Sequence, residues 1–318
     1  MSATRGNVIE TRDLTVRFRK DEVLRGLTTA FERGTVTALL GRNGVGKSTL
    51  LRVLVGFLPA TSGEASVFGL PCSKRGPDIR RRVGYVPDRL ELPRWMSVDD
   101  HLRFLEAFYP TWDKHEERRL LAQLDLDAKA KVKDLSKGQR EKHALVAALA
   151  HRPDLLLLDE PFSGLDPVVR QEVLTAVLGH LRDDGRTILV VTHSMQDVER
   201  IADRIVLIED GRVRMDGASE DLRRRMRRVG VTLHRDAPPS WTPPGSPRTE
   251  RRGDDVVLSY LEWDDAHEAR LDADPAVRDW RQLSTGIEDL FRLATASEGA
   301  TLSPTTTAQK ESEPCAAS

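Results

Sequence analysis

A mostly parallel β-sheet covered by helices is the fold class that this 318-residue sequence predicts. Three observations carry the prediction. Short unbroken apolar runs, TVTALL at 35–40, DLLLLDEP at 154–161 and RTILVVTH at 186–193, have the composition of strands buried on both faces. Amphipathic helical stretches stand between them, so strands and helices alternate along the chain. A glycine-rich turn, GRNGVGKST, joins one strand directly to a helix.

The elements follow in order. Residues 6–40 read as strands and turns, with LTVRF (14–18) alternating and TVTALL buried. A helix runs from about 48 to 58. TSGEASVFG (61–69) reads as a turn and strand, and RRVGYVP (81–87) as a strand stopped by Pro87. From about residue 93 to 150 the pattern is helical: MSVDDHLRFLEAFY and EERRLLAQLDL both carry apolar residues at helical spacing. After the strand at 154–161, PVVRQEVLTAVLGHLRDDG is an amphipathic helix with a glycine stop, and RTILVVTH is again a strand. ERIADRIVLIEDGRVRMDG supplies a helix, a strand and a turn.

Composition changes near residue 228. APPSWTPPGSPRTERRGDD (237–255) reads as a loop or linker between two strand-like segments, VGVTLH and DVVLSYLEW, and STGIEDLFRLATA predicts a final helix from Ser284. The expected division is therefore 1–225, with a helical section at about 89–150, then a small α+β unit at 226–296, then a low-complexity, disordered tail at 297–318. No internal repeat is visible.

Bulk numbers exclude several classes. With 39% apolar and 31% charged residues the chain has a globular composition, and a formal net charge of −1 gives no global field for nucleic acid or an anionic membrane. Two cysteines, Cys72 and Cys315, make no disulfide framework and fit a reducing cytoplasm. The opening MSATRGNVIETRD has no apolar core and does not read as a secretory signal. The apolar runs fall far short of the roughly 20 residues that span a bilayer, so a membrane role has to come through a partner.

GRNGVGKS (41–48) matches G-x-x-x-x-G-K-[ST] between a predicted strand and helix, the context that motif requires. Gly41, Gly44 and Gly46 let backbone N–H groups turn toward one centre, and the helix N-terminus adds about half a positive charge. Lys47 can reach the β- and γ-phosphates of a nucleotide and Ser48 can ligate Mg²⁺. The strand ending in Asp159 places a carboxylate beside the loop for Mg²⁺, and Glu160 next to it can orient or deprotonate an attacking water. His193 ends the following strand, where open α/β sheets converge on a ligand crevice; it can contact a γ-phosphate or the water, or serve as a partly buried structural histidine.

One stretch resists a purely structural reading. In KDLSKGQREK (133–142), Ser136 and Gln139 form a capping-box pattern, but Gly138 weakens the helix start by roughly 1 kcal/mol relative to alanine. A bare first turn with a serine and a positive dipole suits a phosphate.

LSKGQ ahead of LLLLDEP resembles the signature segment of ATP-binding-cassette (ABC) ATPases, whose common form is LSGGQ. Lys137 in place of the middle glycine resembles the ABC-2 exporter branch, as does STGIEDLFRL near the end. The resemblance covers roughly residues 8–225. It implies a P-loop ABC cassette: a RecA-like, mostly parallel sheet with an antiparallel β subdomain and an inserted helical subdomain, plus the small α+β C-terminal domain. It implies ATP and Mg²⁺ as cofactors. Phe18 matches the aromatic that stacks on adenine. Gly41, Arg42, Asn43, Gly44, Val45, Gly46, Lys47, Ser48 and Thr49 match the phosphate loop. Asp159 matches the Mg²⁺ carboxylate, Glu160 the catalytic base and His193 the switch histidine. Ser163-Gly164-Leu165-Asp166 matches the loop that crosses a dimer interface. Ser136, Lys137, Gly138 and Gln139 match the signature, which in the family holds the γ-phosphate of ATP bound to the other subunit.

One position departs from the pattern. The family's glutamine after the Y-x-P strand falls at Asp88, in VGYVPDR. Ionised aspartate only accepts hydrogen bonds, so Asp88 can still ligate Mg²⁺ directly or through water, or can simply form a turn. The resemblance implies a homodimer or heterodimer of ATPase subunits that sandwiches two ATP and drives a separate integral membrane permease, with the chain cytoplasmic and held peripherally at the inner face of the membrane. The helical section and the Asp88 loop would face that permease, with Trp95, Phe104, Phe108 and Trp112 as contact area or as ordinary core. A soluble ABC ATPase with a regulatory, translation or DNA-linked role is the alternative. Against it stand the single cassette and the roughly ninety residues between Lys47 and Ser136, too few for a coiled-coil insertion.

Overall fold

The computed structural model describes residues 6–184, 186–238, 240–245, 248–284 and 286–289. Strands β1 (Asn7–Phe18) and β2 (Asp21–Glu32) form a hairpin, followed by β3 (Val36–Leu40), α1 (Lys47–Leu54), β4 (Ser62–Val67), β5 (Leu70–Pro71), α2 (Cys72–Arg80) and β6 (Val83–Val86). The helical section contains α3 (Val98–Glu106), α4 (Lys114–Gln123), a 3₁₀ turn at Val132–Asp134 and α5 (Lys137–Leu149). Then come β7 (Leu155–Asp159), α6 (Pro167–Asp184), β8 (Thr187–Val191), α7 (Met195–Ile201), β9 (Arg204–Glu209), β10 (Arg212–Ala218) and α8 (Ser219–Arg225). The last described section holds β11 (Arg227–Leu233), β12 (Arg248–Arg252), β13 (Asp255–Tyr260), α9 (Asp265–Ala273) and β14 (Val277–Leu283).

A six-stranded sheet, order β10-β9-β3-β8-β7-β6, forms the centre, parallel except for the β9–β10 hairpin. Every residue of β3, β7 and β8 is buried, which is why these segments read as unbroken apolar runs. Alternation along the strands sends their side chains into two separate cores. Ala38, Leu156, Leu158, Ile188 and Val190 pack under α3–α6, while Leu39, Leu155, Leu157, Leu189 and Val191 pack against Leu50, Leu51 and Leu54 of α1 and the inner face of the antiparallel sheet β2-β1-β4-β5. The strand ends that bear Gly41, Asp159 and His193 are thereby fixed side by side.

The helical section starts its helices with carboxylate and hydroxyl caps. Ser97 and Asp100 exchange hydrogen bonds at the start of α3, and the Asp113 carboxylate accepts the N–H groups of His115 and Glu116 at the start of α4.

The structure departs from the sequence expectations in several places. The helix expected to reach residue 58 stops at Leu54, because Gly56 adopts φ +71° and packs so closely on Gly76 that a Cβ would meet its Cα at 2.8 Å. Helix α2 was not foreseen: Gly76 and Pro77 argue against a helix, and Arg75 does break the helical backbone there. The stretch read as a linker contains β12, all of whose residues are exposed, so no apolar alternation marked it. Helix α9 and strand β14 also went unread; α9 has one buried side chain, Leu271.

β12-β13-β11-β14 form their own antiparallel sheet around Val229, Val231, Leu233, Val256, Leu258, Tyr260 and Leu271. Ile287 returns from it into the large core under α6 and α7, its N–H donating to the Glu199 carboxylate at 2.7 Å. Most of the final helix expected from Ser284, and all of the tail at 297–318, lie outside the described residues. Among the described residues, no helix is long and apolar enough to cross a membrane.

Candidate functional site

The turn between β3 and α1 is held by glycines whose environments exclude a side chain. Gly41 sits at φ +154°, and a Cβ there would lie 2.5 Å from the Ile208 carbonyl oxygen of β9. Gly46, at φ +109°, would press a Cβ to 2.6 Å from Leu24. Gly44 has open space around it but a φ of +81°, so its requirement is purely conformational. Gly46 caps α1 in the left-handed region with no side-chain hydrogen bond to the first turn. The N–H groups of that turn consequently face the cleft without a side-chain competitor.

Lys47 is 6% exposed. Its Nζ donates to the carbonyl oxygens of Gly41 at 2.7 Å and Arg42 at 3.0 Å, folding the lysine back over the loop. Burial lowers its pKa, and the carboxylates of Glu160 and Asp159 oppose that fall.

Those carboxylates are delivered by β7. Asp159 is 3% exposed and its Oδ1 has no hydrogen-bond partner among the described residues. Burial pushes its pKa up; the Ser48 hydroxyl, hydrogen-bonded to it, works against the rise, and the neighbouring charges of Asp88 and Glu160 reinforce it. Glu160 leaves the strand at φ +54°, a backbone region that costs a non-glycine residue about 1–3 kcal/mol. It is held there by its N–H donating to the Val191 carbonyl at 2.8 Å and by the Ser163 N–H donating to its own carbonyl at 3.1 Å. The turn aims its side chain at His193, whose Nδ1 lies 2.8 Å from Glu160 Oε2. The histidine side chain is 61% exposed, so it is no core residue.

One cleft gathers Asn43, Gly44, Gly46, Lys47, Ser48, Thr49, Asp88, Arg89, Asp159 and Glu160. Among the described residues no three His, Cys, Asp or Glu side chains converge into a protein-only metal cage. That donor set fits Mg²⁺ nonetheless, because this ion keeps waters and binds through one or two carboxylates plus phosphate oxygens. Asp159, with its unpartnered buried oxygen, and Ser48 beside it would hold the ion; Asp88, exposed at the cleft mouth, would reach it directly or through water.

Other expected site residues lie elsewhere. Phe18 is at the tip of the β1–β2 hairpin, 44% exposed, and does not line the cleft, although Val23 and Leu24 of the same hairpin press against Gly46. Ser136 starts α5: its hydroxyl accepts the Gln139 N–H at 3.2 Å and its N–H donates to Gln139 Oε1 at 2.9 Å. Ser136, Lys137 and Gln139 are exposed and outside the cleft. Gly138 has a reason that sequence reasoning lacked, since a Cβ would lie 3.1 Å from Val169 of α6. Asp166 caps α6, accepting the N–H groups of Val168 and Val169 at 3.0 Å each.

Two residues near the site were missed. Arg89 lines the cleft beside Asp88. Glu141, one turn into α5, is pushed up to about 7, chiefly by burial, with Asp88 adding to the rise while Lys137 and Arg140 oppose it. No sequence signal marked it, since an acid on an amphipathic helix ordinarily faces water. On the helical section, Trp95, Phe104 and Phe108 are 76%, 52% and 59% exposed, whereas Trp112 is partly buried and donates to Glu117 at 2.6 Å. A groove beside them, between α3, α5 and β6, is lined by residues including Tyr85, Leu90, Leu105 and Tyr109.

Known proteins resemble this chain. A family profile described as ABC transporter matches residues 24–163. The Nod factor export ATP-binding protein I of Cupriavidus pinatubonensis is 36% identical over 220 residues, covering 68% of this chain and 67% of that protein. The ABC transporter ATP-binding protein YtrB of Bacillus subtilis is 26% identical over 285 residues, covering 89% of this chain and 97% of that protein. Across the export proteins and a Synechocystis ABC transporter ATP-binding protein, the matched segment spans 63–72% of the relative's length. Among solved structures, an ATP-binding subunit of an ABC transporter matches with a TM-score of 0.63 and 30% identity, over 68% of this chain and 92% of that one.

Proposed function

This chain belongs to the ABC transporter family as an ATP-binding, ATP-hydrolysing cassette, and on that premise we propose that two copies, or this chain and a related one, sandwich two ATP and drive a separate membrane permease. One observation carries the reading. The cleft that gathers Lys47, Ser48, Asp159 and Glu160 excludes the Ser136 turn, which lies exposed on the same chain. In this reading a phosphate held by the loop is met by the signature residues of a second protomer.

In this reading Gly41, Arg42, Asn43, Gly44, Val45, Gly46, Lys47, Ser48 and Thr49 bind the phosphates, and exposed Phe18 offers its ring to the base. Asp159 and Ser48, with Asp88, hold Mg²⁺, which supplies neutralisation of charge on the phosphates. Glu160 accepts the proton of the attacking water, and His193, bonded to Glu160, orients that carboxylate and the terminal phosphoryl group. Ser136, Lys137, Gly138 and Gln139 face the mate's nucleotide, and Asp166 lies in the loop beside them. In the same reading the catalytic unit is 1–225, with 89–150 as its helical subdomain, and 226–296 is a small C-terminal domain; its described strands form their own sheet and core, while Ile287 packs into the large one.

Export is the favoured direction, because several relatives are named for Nod factor export and Lys137 follows the ABC-2 form. The exposed Trp95, Phe104 and Phe108 and the adjacent groove form the face offered to the permease, which would hold the chain at the cytoplasmic side of the membrane. Copurification from solubilised membranes tests the assembly: a multi-span protein should coelute. Purified chain should release phosphate in a Mg²⁺-dependent way, and Glu160→Gln should abolish that release by at least about 100-fold. Full turnover by this variant rejects the mechanism.

A further inference from the structure

We propose that Lys137 is a positioning residue that ties the Ser136 turn to the 163–166 loop of its own chain, so that both move as one body. Lys137 is the first residue of α5, exposed, with Glu141 one turn on and near enough to feel its charge. Its ammonium turns the other way and donates to the Ser163 carbonyl at 2.6 Å. A charge-assisted bond to a carbonyl is about twice as strong as a neutral one.

Gly164 sits at φ +66°, a region that favours glycine, and a Cβ there would fall 2.6 Å from Lys137 Nζ and 3.7 Å from its Cε, so the ammonium lies against the glycine's open side. Two further contacts continue the same seam between α5 and α6. Gly138 lets Val169 approach to within 3.1 Å of its absent Cβ, and Lys142, with 9% of its side chain exposed, pairs with Glu172 at 2.6 Å. Asp166, at the end of the loop, is locked by its cap on α6. The loop is thus anchored at its far end by Asp166 and at its near end by Lys137. With glycine at 137 the Ser163 carbonyl would have no such anchor.

The functional consequence rests on the proposed sandwich. There, one protomer presents both its Ser136 turn and its 163–166 loop to its mate, and a tie between them makes the two arrive in fixed register. Lys137 thereby acts on turnover through geometry and contributes nothing to binding at its own phosphate loop.

Hydrogen exchange on the full-length, nucleotide-free chain tests the tie directly. The amides of Ser163 and Leu165 donate to the Glu160 and Phe162 carbonyls and so report opening of the loop. Lys137→Met, which keeps the stem and removes the ammonium, should speed their exchange about tenfold, leave 41–49 unchanged, and be rescued by Lys137→Arg. Unchanged exchange in Lys137→Met overturns the tie, whatever becomes of the transport reading. In turnover, Lys137→Met should lower kcat about tenfold with KM for ATP within about twofold. Faster exchange with unchanged kcat overturns the positioning role. A fully active Glu160→Gln, by contrast, rejects the proposed function and leaves the exchange result standing.

Discussion

At the start of α1 the cap is Gly46, left-handed and without a side-chain bond to the turn; at the start of α5 the cap is Ser136, locked reciprocally to Gln139. The first helix end is packed beneath a hairpin with a buried lysine folded over it, and the second is exposed. Both ends carry the same partial positive charge. They differ in readiness. The α1 turn keeps its donors free for a phosphate at the cost of a strained, glycine-dependent loop. The α5 turn has two donors, the Ser136 and Gln139 N–H groups, already engaged with each other's side chains, so a phosphate arriving there competes with the Ser136–Gln139 exchange. In the proposed sandwich the first turn serves a chain's own nucleotide and the second serves its mate's.

The contrast breaks most readily at Lys47. Lys47→Met should weaken ATP binding by at least about 100-fold in calorimetry, because a buried, charge-assisted contact is lost while the carboxylates of Asp159 and Glu160 remain. If Ser136→Ala weakened binding to the same degree, the two turns would belong to one site and the comparison would fail.

The loop glycines sharpen it next. Gly41→Ala, driven into the Ile208 carbonyl, should cost on the order of 2–3 kcal/mol in chemical denaturation. Gly44→Ala meets nothing within 4 Å and should cost about 1 kcal/mol through its φ of +81° alone. Equal losses at the two positions would show that crowding plays no part in shaping the loop.

Ser136→Ala should remove about 1 kcal/mol of stability as a lost cap. It should also slow turnover roughly tenfold while ATP affinity measured on the monomer stays unchanged. A loss of stability without a loss of turnover would reduce Ser136 to a structural cap.

Acid should distinguish the two sides most gently. Burial pushes His143, in α5, down to about 3 and His151, just beyond α5, down to about 4. His143 faces the imidazole of His101 at 2.8 Å, which disfavours its charged form further. Since the unfolded chain binds protons near pH 6.5 and the folded chain does not, stability falls as pH drops from about 6.5 toward these lowered values. At pH 6.0 relative to 7.5 the loss should be about 0.8 kcal/mol per histidine. His143→Leu should flatten the dependence, and hydrogen exchange should rise in α5 before it rises in α1.

Legibility followed how local each constraint was. The phosphate loop, the buried strands and the acids at 159 and 160 were readable because each is written in consecutive residues with a fixed backbone consequence. Strand β12 was hidden by having no buried face, α2 by its glycine and proline, and α9 by having one buried leucine. In the sequence Gly138 signals only a weakened, bare first turn; its contact with Val169, thirty-one positions on, depends on how α5 and α6 cross. The same crossing places Lys137 on Ser163.

By itself, then, the sequence determined the class of the chain: glycines at 41, 44 and 46 ahead of Lys47 and Ser48, between a strand and a helix, mark a loop that opens toward an anion, and short apolar runs between amphipathic helices mark strands covered on both sides. Tertiary structure alone decided that Glu160 is bent into the left-handed region against His193, that Asp159 keeps one buried oxygen unpartnered, and that Ser136 stands outside the cleft its own lysine closes. The physical reason is range. A glycine's φ and a strand's burial are settled within a few bonds, whereas the position of one turn relative to another is the sum of packing across two cores.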